Sequence, residues 1–409
     1  MSLDVETRET ATEKAEEVLE EYGIPLDYPE AALEEVDDVT EDYESKIADE
    51  AEDSGRRDLR DHLTFTTDPR RAQDFDDAIS IEPRDDGWRL WVHIADVGHY
   101  VRPGMELYEE AKRRATSVYL PGYTVHMLPP RLAETVCSLV PDEDRLAHTV
   151  EMEVNEDLSF DDVDIYRSVV RSDRRLTYAE TERVLEGEDV EGVSPGVRVS
   201  IEDAYDLAEE LHETRKADGS LVLNPARDRA HTVVEECMLK ANKAVTHELM
   251  WNRGVEAMYR VHPQPTPDQW AEALQEIQDL DGVSIPGEKW DKPRHAVNHA
   301  IENAGERELR KIRRAVLYVM PRARYMSDPF GGHYALNFDI YGHFTSPIRR
   351  LADLVNHHVV AGDGVPDDIA ALAEHATERG KMAEAAERDY KRWLREQGID
   401  PDQLEEYDD

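Results

Sequence analysis

The spacing of apolar and polar positions predicts two strands joined by a tight turn early in the chain. Apolar and polar residues alternate at 78–81 and again at 88–94, which is the period of a half-buried strand. The sequence Asp85-Asp86-Gly87 lies between the two segments and has the composition of a hairpin turn. We therefore expect an antiparallel hairpin in this region.

Helical periodicity dominates most of the rest of the chain. The segments that we predict to be helical are 11–22, 31–39, 105–116, 200–217, 232–249, a helix from Asp268, 346–360 and 369–396. Ile24-Pro25 ends the first of these helices, and Gly362–Pro366 separates the last two. The tail from Asp400 is acidic, and we expect it to fray.

The charge of the chain changes the expected environment. Its 409 residues carry a formal net charge of −44, and only 11 of the 48 basic residues are Lys. A carboxylate-rich, Lys-poor surface predicts a protein that stays hydrated in concentrated salt, as in halophiles. The alternative is a protein that binds basic partners. The charge does not exclude nucleic acid, because the Debye length is only about 3 Å at 1 M salt.

Several classes of protein are not expected from this sequence. No stretch approaches the roughly 20 apolar residues that span a membrane, and the N-terminus lacks the features of a signal peptide. Cys137 and Cys237 are far apart and outside any CxxC pattern, so we expect neither a disulfide framework nor a zinc ribbon. We therefore expect a cytoplasmic, soluble protein with two buried thiols.

Four aspartates within ten positions are the main candidates for chemistry: Asp68, Asp74, Asp76 and Asp77. Mg²⁺ prefers carboxylate oxygens, and two such ions about 3.5–4 Å apart promote phosphodiester hydrolysis. A straight strand would point Asp74 and Asp76 to one face and Asp77 to the other, so we expect a loop or bulge. The alternative is a solvated acidic loop. An EF-hand is excluded because its Gly and terminal Glu are missing.

The residues around this cluster resemble the ribonuclease II/ribonuclease R (RNB) family. The first motif runs from Asp68-Pro69 to Asp74-Phe75-Asp76-Asp77-Ala78-Ile79-Ser80, with Gln73 where the family commonly has Lys. Five further motifs follow in the family's order: Val92-His93-Ile94-Ala95-Asp96-Val97, Tyr119-Leu120-Pro121-Gly122, Glu235-Glu236-Cys237-Met238-Leu239-Lys240-Ala241-Asn242, Tyr259-Arg260-Val261-His262 and Tyr341-Gly342-His343-Phe344-Thr345-Ser346-Pro347-Ile348-Arg349-Arg350. These collinear matches identify the chain as a member of that family.

The resemblance implies an α+β fold, with a mixed or antiparallel sheet packed by helices around an RNA channel. It implies a Mg²⁺-dependent 3′→5′ exoribonuclease that releases 5′-monophosphates from single-stranded RNA by a two-metal mechanism. It divides the chain into a linker-like acidic extension (1–55), a catalytic domain (56–397) and an acidic tail (398–409). The family's cold-shock and S1 domains are not recognisable, so an accessory RNA-binding protein is an expected partner.

The resemblance also implies roles for the aspartates. All four would be metal ligands, with Mn²⁺ as the alternative to Mg²⁺: Asp68, Asp74, Asp76 and Asp77. Asp74 and Asp76 would also be catalytic, together with Arg349. Ser346 and Pro347 suit the N-cap and first position of a helix, so we expect Arg349 in its first turn, in contact with the scissile phosphate. The alternative for Arg349 is a surface salt bridge.

Three further residues are implied to bind substrate. Tyr119 matches the position at which an aromatic ring stacks on the 3′-terminal base. Arg350 would contact RNA beside Arg349, and Glu387 would contact a 2′-hydroxyl group. The alternatives are a half-buried strand tyrosine at 119 and a solvated helix face at 387.

Two other functions are compatible with the sequence. One is an RNB scaffold that has lost catalysis and binds RNA, and the intact aspartates argue against it. The other is a metal nuclease that acts on DNA or on short oligonucleotides.

Overall fold

The fold is known from a computed structural model that describes residues 4–53, 55–224, 228–287 and 290–405. Its α-helices are α1 (Val5–Glu21), α2 (Glu30–Thr40), α3 (Tyr43–Asp53), α4 (Val97–Tyr100), α5 (Glu106–Arg114), α6 (Tyr178–Leu185), α7 (Pro195–Ala217), α8 (Arg229–His247), α9 (Pro267–Gln278), α10 (Pro293–Glu302), α11 (Glu306–Val319), α12 (Leu351–Ala361), α13 (Ile369–Glu396) and α14 (Pro401–Glu405). Arg131–Val136 and Glu248–Arg253 are π-helical turns, and Tyr334–Leu336 is a 3₁₀ turn.

The strands form one large sheet and two small ribbons among the described residues. They are β1 (Arg57–Asp58), β2 (Phe65–Asp68), β3 (Asp77–Arg84), β4 (Gly87–Ala95), β5 (Val118–Leu120), β6 (Tyr123–Val125), β7 (Asp144–Asn155), β8 (Phe160–Arg171), β9 (Arg174–Thr177), β10 (Tyr259–Val261) and β11 (Arg324–Met326). The order in the large sheet is β1-β8-β7-β4-β3-β2-β9. The pairs β1–β8 and β2–β9 are parallel and the others are antiparallel. This confirms the expected α+β fold with a mixed sheet.

The predicted hairpin is β3–β4, which pairs from Asp77 with Ile94 to Arg84 with Gly87. Side chains of β3 and β4 that alternate along each strand, among them Ile79 and Val92, pack on helices α7 and α8 in one hydrophobic core. A second core on the other side joins sheet residues to α2, α5, α12 and α13. Cys137 and Cys237 are buried and free, as expected. Among the described residues, no helix has the length and apolar character needed to cross a membrane.

The acidic N-terminal helices pack on the rest of the chain. Ala15 and Leu19 of α1 lie in one core with Tyr390 of α13. The hydroxyl group of Tyr390 donates a hydrogen bond to the carbonyl oxygen of Ala11, 3.0 Å away. Helix α3 was not predicted. The boundary at residue 55 between the acidic extension and the catalytic domain stays a prediction, because the extension and the rest of the chain share buried cores.

The helix predicted to begin at Ser346 begins instead at Leu351, so the expected cap and first turn are wrong. Residues 347–349 form a turn, and Arg350 occupies the N-cap position. The amides of Ser117 and Leu351 donate hydrogen bonds to the carbonyl oxygens of Arg349 and Ala115. These tertiary hydrogen bonds override the local capping signal at Ser346.

The tail from Asp400 was expected to fray, and this is wrong for its described part. Pro401–Glu405 is helical, and Leu404 is buried in the core formed by α1 and α13. The guanidinium of Arg71 donates to the carbonyl oxygen of Leu404 at 2.6 Å. Residues 406–409, the rest of the predicted tail, lie outside the described residues.

Candidate active site

The four aspartates lie where two strands of the large sheet meet a loop. Asp68 is the last residue of β2 and Asp77 is the first residue of β3, so the intervening segment is a loop, as the spacing predicts. The Ser138 hydroxyl fixes this loop: it donates to the carbonyl oxygen of Gln73 and accepts the Phe75 amide. The loop brings Asp74 and Asp76 to the same edge as the two strand residues.

All four side chains line one cavity of about 570 Å³, which we call the carboxylate cavity. Tyr119, Arg349 and Arg350 line it too. The structure therefore brings together every predicted site residue except Glu387.

Burial makes this group of carboxylates electrostatically unfavourable without a cation. Burial, reinforced by Asp77, raises the pKa of Asp68 to about 8. Burial also raises the pKa of Asp77 to about 6, although Arg349 and Arg350 oppose the effect. The pKa of Asp76 is raised well above its usual range, mainly by burial and against the effect of Arg349. The sequence could not supply these effects, because they depend on burial.

Two carboxylate oxygens in the cavity are poorly satisfied by hydrogen bonds. They are Oδ2 of Asp68 and Oδ2 of Asp76, both buried. Within the described residues neither accepts a hydrogen bond of normal geometry, although the Thr66 hydroxyl group interacts with Asp68 and Nε of Arg349 lies 3.4 Å from Oδ2 of Asp76. Buried polar atoms without partners are rare in folded proteins. Hard oxygen ligands with raised pKa values are the donor set that a divalent cation would satisfy. The residues present therefore fit a bound Mg²⁺ or Mn²⁺ ion.

The turn at 347–349 places Arg349 beside the carboxylates. The amide of Ile348 donates to Oδ1 of Asp76 at 2.8 Å, and Nε of Arg349 lies 3.4 Å from Oδ2 of Asp76. Arg349 Nη2 donates to Oγ of Ser346 at 3.0 Å. The Arg349 side chain is 44% exposed, which leaves its guanidinium accessible from the cavity.

Asp353 holds the neighbouring arginine and was not singled out from the sequence. Its buried carboxylate accepts hydrogen bonds from Nε and Nη2 of Arg350 at 2.8 and 2.7 Å. It also accepts the amide of Ser346 at 2.8 Å. The spacing of three residues between Arg350 and Asp353 was the only sequence signal for this pair, and it is common on any helix.

Tyr119 contacts the carboxylates directly. Its hydroxyl group donates to Oδ2 of Asp74 at 2.6 Å, and its side chain remains 41% exposed. The ring meets His126 edge to face, with 6.4 Å between ring centroids. One edge of the Tyr119 ring is therefore fixed while part of its surface stays open.

A second cavity of about 420 Å³, which we call the adjoining cavity, continues from the first. Tyr119 and Arg350 line both cavities. Glu387 lies here, away from the aspartates, and accepts a hydrogen bond from Lys391 at 2.6 Å. Three further basic residues line this cavity, and the sequence analysis missed them: Arg260, Arg322 and Lys381. Arg260 lies in the motif Tyr259–His262 but was given no role there, and no local pattern marks Arg322 or Lys381.

Another group of potential metal ligands lies outside this site: Asp96, His148 and His357. Oδ2 of Asp96 accepts a hydrogen bond from the buried guanidinium of Arg56 at 2.7 Å. Burial acts to raise the pKa of Asp96, but His148 and Arg56 together hold it well below its usual range. Because a guanidinium already neutralises Asp96, we interpret this group as a structural ion pair.

Known proteins resemble this chain over most of its length. Residues 56–362 match the family model described as RNB domain. The chain is 35% identical over 364 residues to ribonuclease R of Aquifex aeolicus, covering 84% of this chain and 50% of that protein. It is 31% identical over 418 residues to ribonuclease R of Escherichia coli, covering 92% and 50%. The chain thus spans about half the length of the curated relatives that it matches.

Solved structures share the fold. Ribonuclease R of Mycoplasma genitalium, in complex with double-stranded RNA, superposes with a TM-score of 0.84 at 24% identity, covering 94% of this chain and 73% of that one. Yeast Ssd1, a pseudonuclease, superposes with a TM-score of 0.71 at 22% identity, covering 83% and 45%. At these identities the likeness establishes the fold alone. The matched family model extends over more than half of the residues of this chain, and the chain therefore belongs to the RNB domain family.

Proposed function

We propose that this chain is a metal-dependent 3′→5′ exoribonuclease that hydrolyses single-stranded RNA to 5′-monophosphates. The observation that carries the proposal is the convergence of four aspartates and Arg349 on one cavity of an RNB fold. Buried carboxylates that lack compensating cations are costly. A constellation of this kind is therefore favoured as a functional site rather than as a source of stability.

The metal would be held by the carboxylates of Asp68, Asp74, Asp76 and Asp77. Bound divalent cations supply positive charge that stabilises a phosphate under attack, and they favour ionisation of water. Mg²⁺ is the first candidate because every proposed ligand is a carboxylate oxygen, and Mn²⁺ is the alternative.

The chain's own residues would position the substrate. Arg349 would contact the scissile phosphate and stabilise its additional negative charge in the transition state. Asp76 holds the Arg349 turn through the Ile348 amide, so a change at Asp76 would also disturb the arginine. Tyr119 would stack on the 3′-terminal base while its hydroxyl group fixes Asp74.

The adjoining cavity would admit the RNA strand. Arg260 would contact phosphate there. Three further basic residues of the lining would contribute positive charge while paired with Glu384, Glu378 and Asp353: Arg322, Lys381 and Arg350. Glu387 remains the candidate for a contact to a 2′-hydroxyl group. An accessory RNA-binding protein stays a prediction.

The function is tested with 5′-labelled single-stranded RNA in molar KCl with Mg²⁺. We expect a ladder that shortens from the 3′ end and 5′-monophosphates in the products, and EDTA should stop the reaction. DNA of the same sequence should be degraded much more slowly. Release of the 5′ label as a mononucleotide from the start of the reaction, or products with 3′-phosphates, would overturn the proposal.

The same assay separates the alternatives. Binding of RNA without turnover in either Mg²⁺ or Mn²⁺ would favour the inactive scaffold, the state named for Ssd1. Equal or faster degradation of DNA would favour a broader metal nuclease.

A further inference from the structure

A third cavity lies across helix α8 from the carboxylate cavity. Its volume is about 290 Å³, and Leu239 lines both cavities. Lys240 and Lys243 of α8 line it together with residues of α7, the turn between β7 and β8, and the segment around Phe338. Nothing in the proposed exonuclease mechanism uses this cavity.

Two of the chain's 11 lysines lie here without an acidic partner. The Lys240 amine donates to the carbonyl oxygen of Leu158, and the Lys243 amine lies 5.3 Å from the centroid of the Phe338 ring. Across residues 4–53, 55–224, 228–287 and 290–405, neither amine forms a salt bridge to a carboxylate.

The Lys240 amine is buried, with the Phe160 ring centroid 4.9 Å away. The residue is only 8% exposed. Burial lowers the pKa of its amine to about 8, and the neighbouring Lys243 adds to the effect. Asp157 opposes these effects without reversing them. An anion placed between the two lysines would relieve both the burial cost and the repulsion.

The acidic groups of the lining are largely engaged elsewhere. Glu236 accepts hydrogen bonds from Arg215 and His212. Asp157 accepts the amide and the hydroxyl group of Ser159 at 3.0 and 2.6 Å. Asp218, the C-cap residue of α7, also lines the cavity, and its capping hydrogen bonds are made by its backbone. The lining thus retains two amines that can neutralise a ligand, and Thr214 adds a hydroxyl group.

We propose that this cavity binds a phosphate group through Lys240 and Lys243. A phosphate dianion matches two amines in charge, and charge-assisted hydrogen bonds are the strong ones in proteins. The phosphate is either inorganic phosphate or the 5′-phosphate of a nucleoside monophosphate, and the binding chemistry is the same for both. The site is independent of the proposed exonuclease function, because none of the four aspartates or Arg349 lines it.

The test is equilibrium dialysis of the full chain against radiolabelled inorganic phosphate, with EDTA present so that no metal recruits phosphate to the aspartates. We expect saturable binding of one phosphate per chain. Lys243→Gln should weaken it at least about tenfold, as expected for a lost hydrogen bond to a charged group. The matched control is Lys46→Gln, which removes the same charge at an exposed position outside the cavity.

Competition identifies the source of the phosphate. Displacement by adenosine 5′-monophosphate, but not by adenosine, assigns the site to nucleotides, whereas displacement by unlabelled phosphate alone assigns it to the free ion. Acetylation mapped by mass spectrometry gives a second readout, in which phosphate should protect Lys240 and Lys243 in the wild type. The proposal is overturned if binding does not saturate, or if Lys243→Gln and Lys46→Gln bind phosphate equally.

Discussion

Asp76 connects the carboxylates to the arginine turn at the scale of single residues. One of its oxygens accepts the Ile348 amide at 2.8 Å, and the other faces Nε of Arg349 at 3.4 Å. The carboxylate thus fixes the backbone that carries Arg349 while its second oxygen faces the cavity. Loss of Asp76 would remove a proposed metal ligand and loosen the arginine together.

Replacement of Arg349 tests its role directly. We expect Arg349→Ala to lower the single-turnover cleavage rate by about 10²- to 10³-fold, the effect of removing one transition-state donor. The matched control is Arg324→Ala, at an exposed arginine outside the carboxylate cavity. A rate for Arg349→Ala equal to that of the control would contradict the proposed contact with phosphate.

Asp96 offers a stability prediction that is independent of catalysis. At neutral pH, Asp96→Asn should lower the free energy of unfolding by roughly 3–5 kcal/mol, because the buried Arg56 guanidinium loses its buried counter-ion and keeps only the partly exposed Glu50. The pKa of Asp96 is lowered in the folded state, so its contribution is fully present above the unfolded pKa of about 3.9. This contribution to stability is lost as the pH falls below that value, towards the lower pKa that Asp96 has in the folded state.

Denaturant unfolding at several pH values measures this difference. The control is Asp164→Asn, which removes the exposed partner of Arg57 and should cost no more than about 1 kcal/mol. Equal losses for the two variants would refute the buried pair, as would a difference that grows on acidification.

At the scale of single residues, the functional residues that belong to family motifs could be identified from the sequence. Residues whose role depends on contacts between distant parts of the chain could not. The aspartates and Arg349 stood out because their neighbours matched a family. Asp353 and Arg322 did not, because their importance depends on which side chains they meet in the fold. The Asp76–Ile348 hydrogen bond joins residues 272 positions apart, beyond the reach of any local pattern.

At the scale of elements, the packing of α1 on α13 makes the acidic extension part of the folded body. Leu19 is fully buried in their shared core, whereas Leu33 of α2 is 44% exposed. The net charge of the extension does not prevent this packing, because its apolar stripe faces inward.

Leu19→Ala should lower the free energy of unfolding by roughly 2–5 kcal/mol, the usual cost of a buried leucine truncation. Leu33→Ala is the matched control and should change stability by no more than about 0.5 kcal/mol. Thermal and denaturant unfolding provide the measurement. If both variants unfolded like the wild type, α1 would not be docked as described.

Helices with a long run of apolar periodicity were predicted correctly, whereas element boundaries that depend on tertiary contacts were not. Helices α1, α7 and α13 follow from their apolar spacing. Strands β7 and β8 were not predicted, although polar and apolar residues alternate from Thr149 to Val154. The start of α12 was misplaced because Asp353 and Asp76 accept the amides of Ser346 and Ile348, which a local capping rule cannot anticipate.

The whole molecule combines a strongly acidic composition with basic residues gathered at cavities. Charge repulsion across the surface should destabilise the fold at low ionic strength. Raising KCl from about 0.1 M to 1 M shortens the Debye length from about 10 Å to about 3 Å, so the melting temperature should rise. Scanning calorimetry across this range tests the halophilic interpretation.

The control for this effect of KCl on the melting temperature is the same measurement at a lower pH. Near the sequence pI of about 4.6 the net charge is close to zero, and the stabilisation by KCl should largely disappear. Equal stabilisation at both pH values would indicate a general effect of salt on hydration instead of screening.

The family and the fold class could be predicted from six collinear motifs, because together these motifs extend over most of the chain. The cavities did not, because each collects residues from elements far apart in sequence. The three-part division of the chain stays a prediction, and the metal and its ligands stay proposals.

The most direct test of the central claim is nucleotide release from single-stranded RNA by Asp76→Asn beside Asp85→Asn, at saturating Mg²⁺. The two variants carry the same chemical change, but Asp85 lies in the exposed β3–β4 turn. The account predicts that Asp76→Asn folds and loses activity while Asp85→Asn keeps the wild-type rate. Wild-type activity in a folded Asp76→Asn would show that the carboxylate cavity is not the catalytic site.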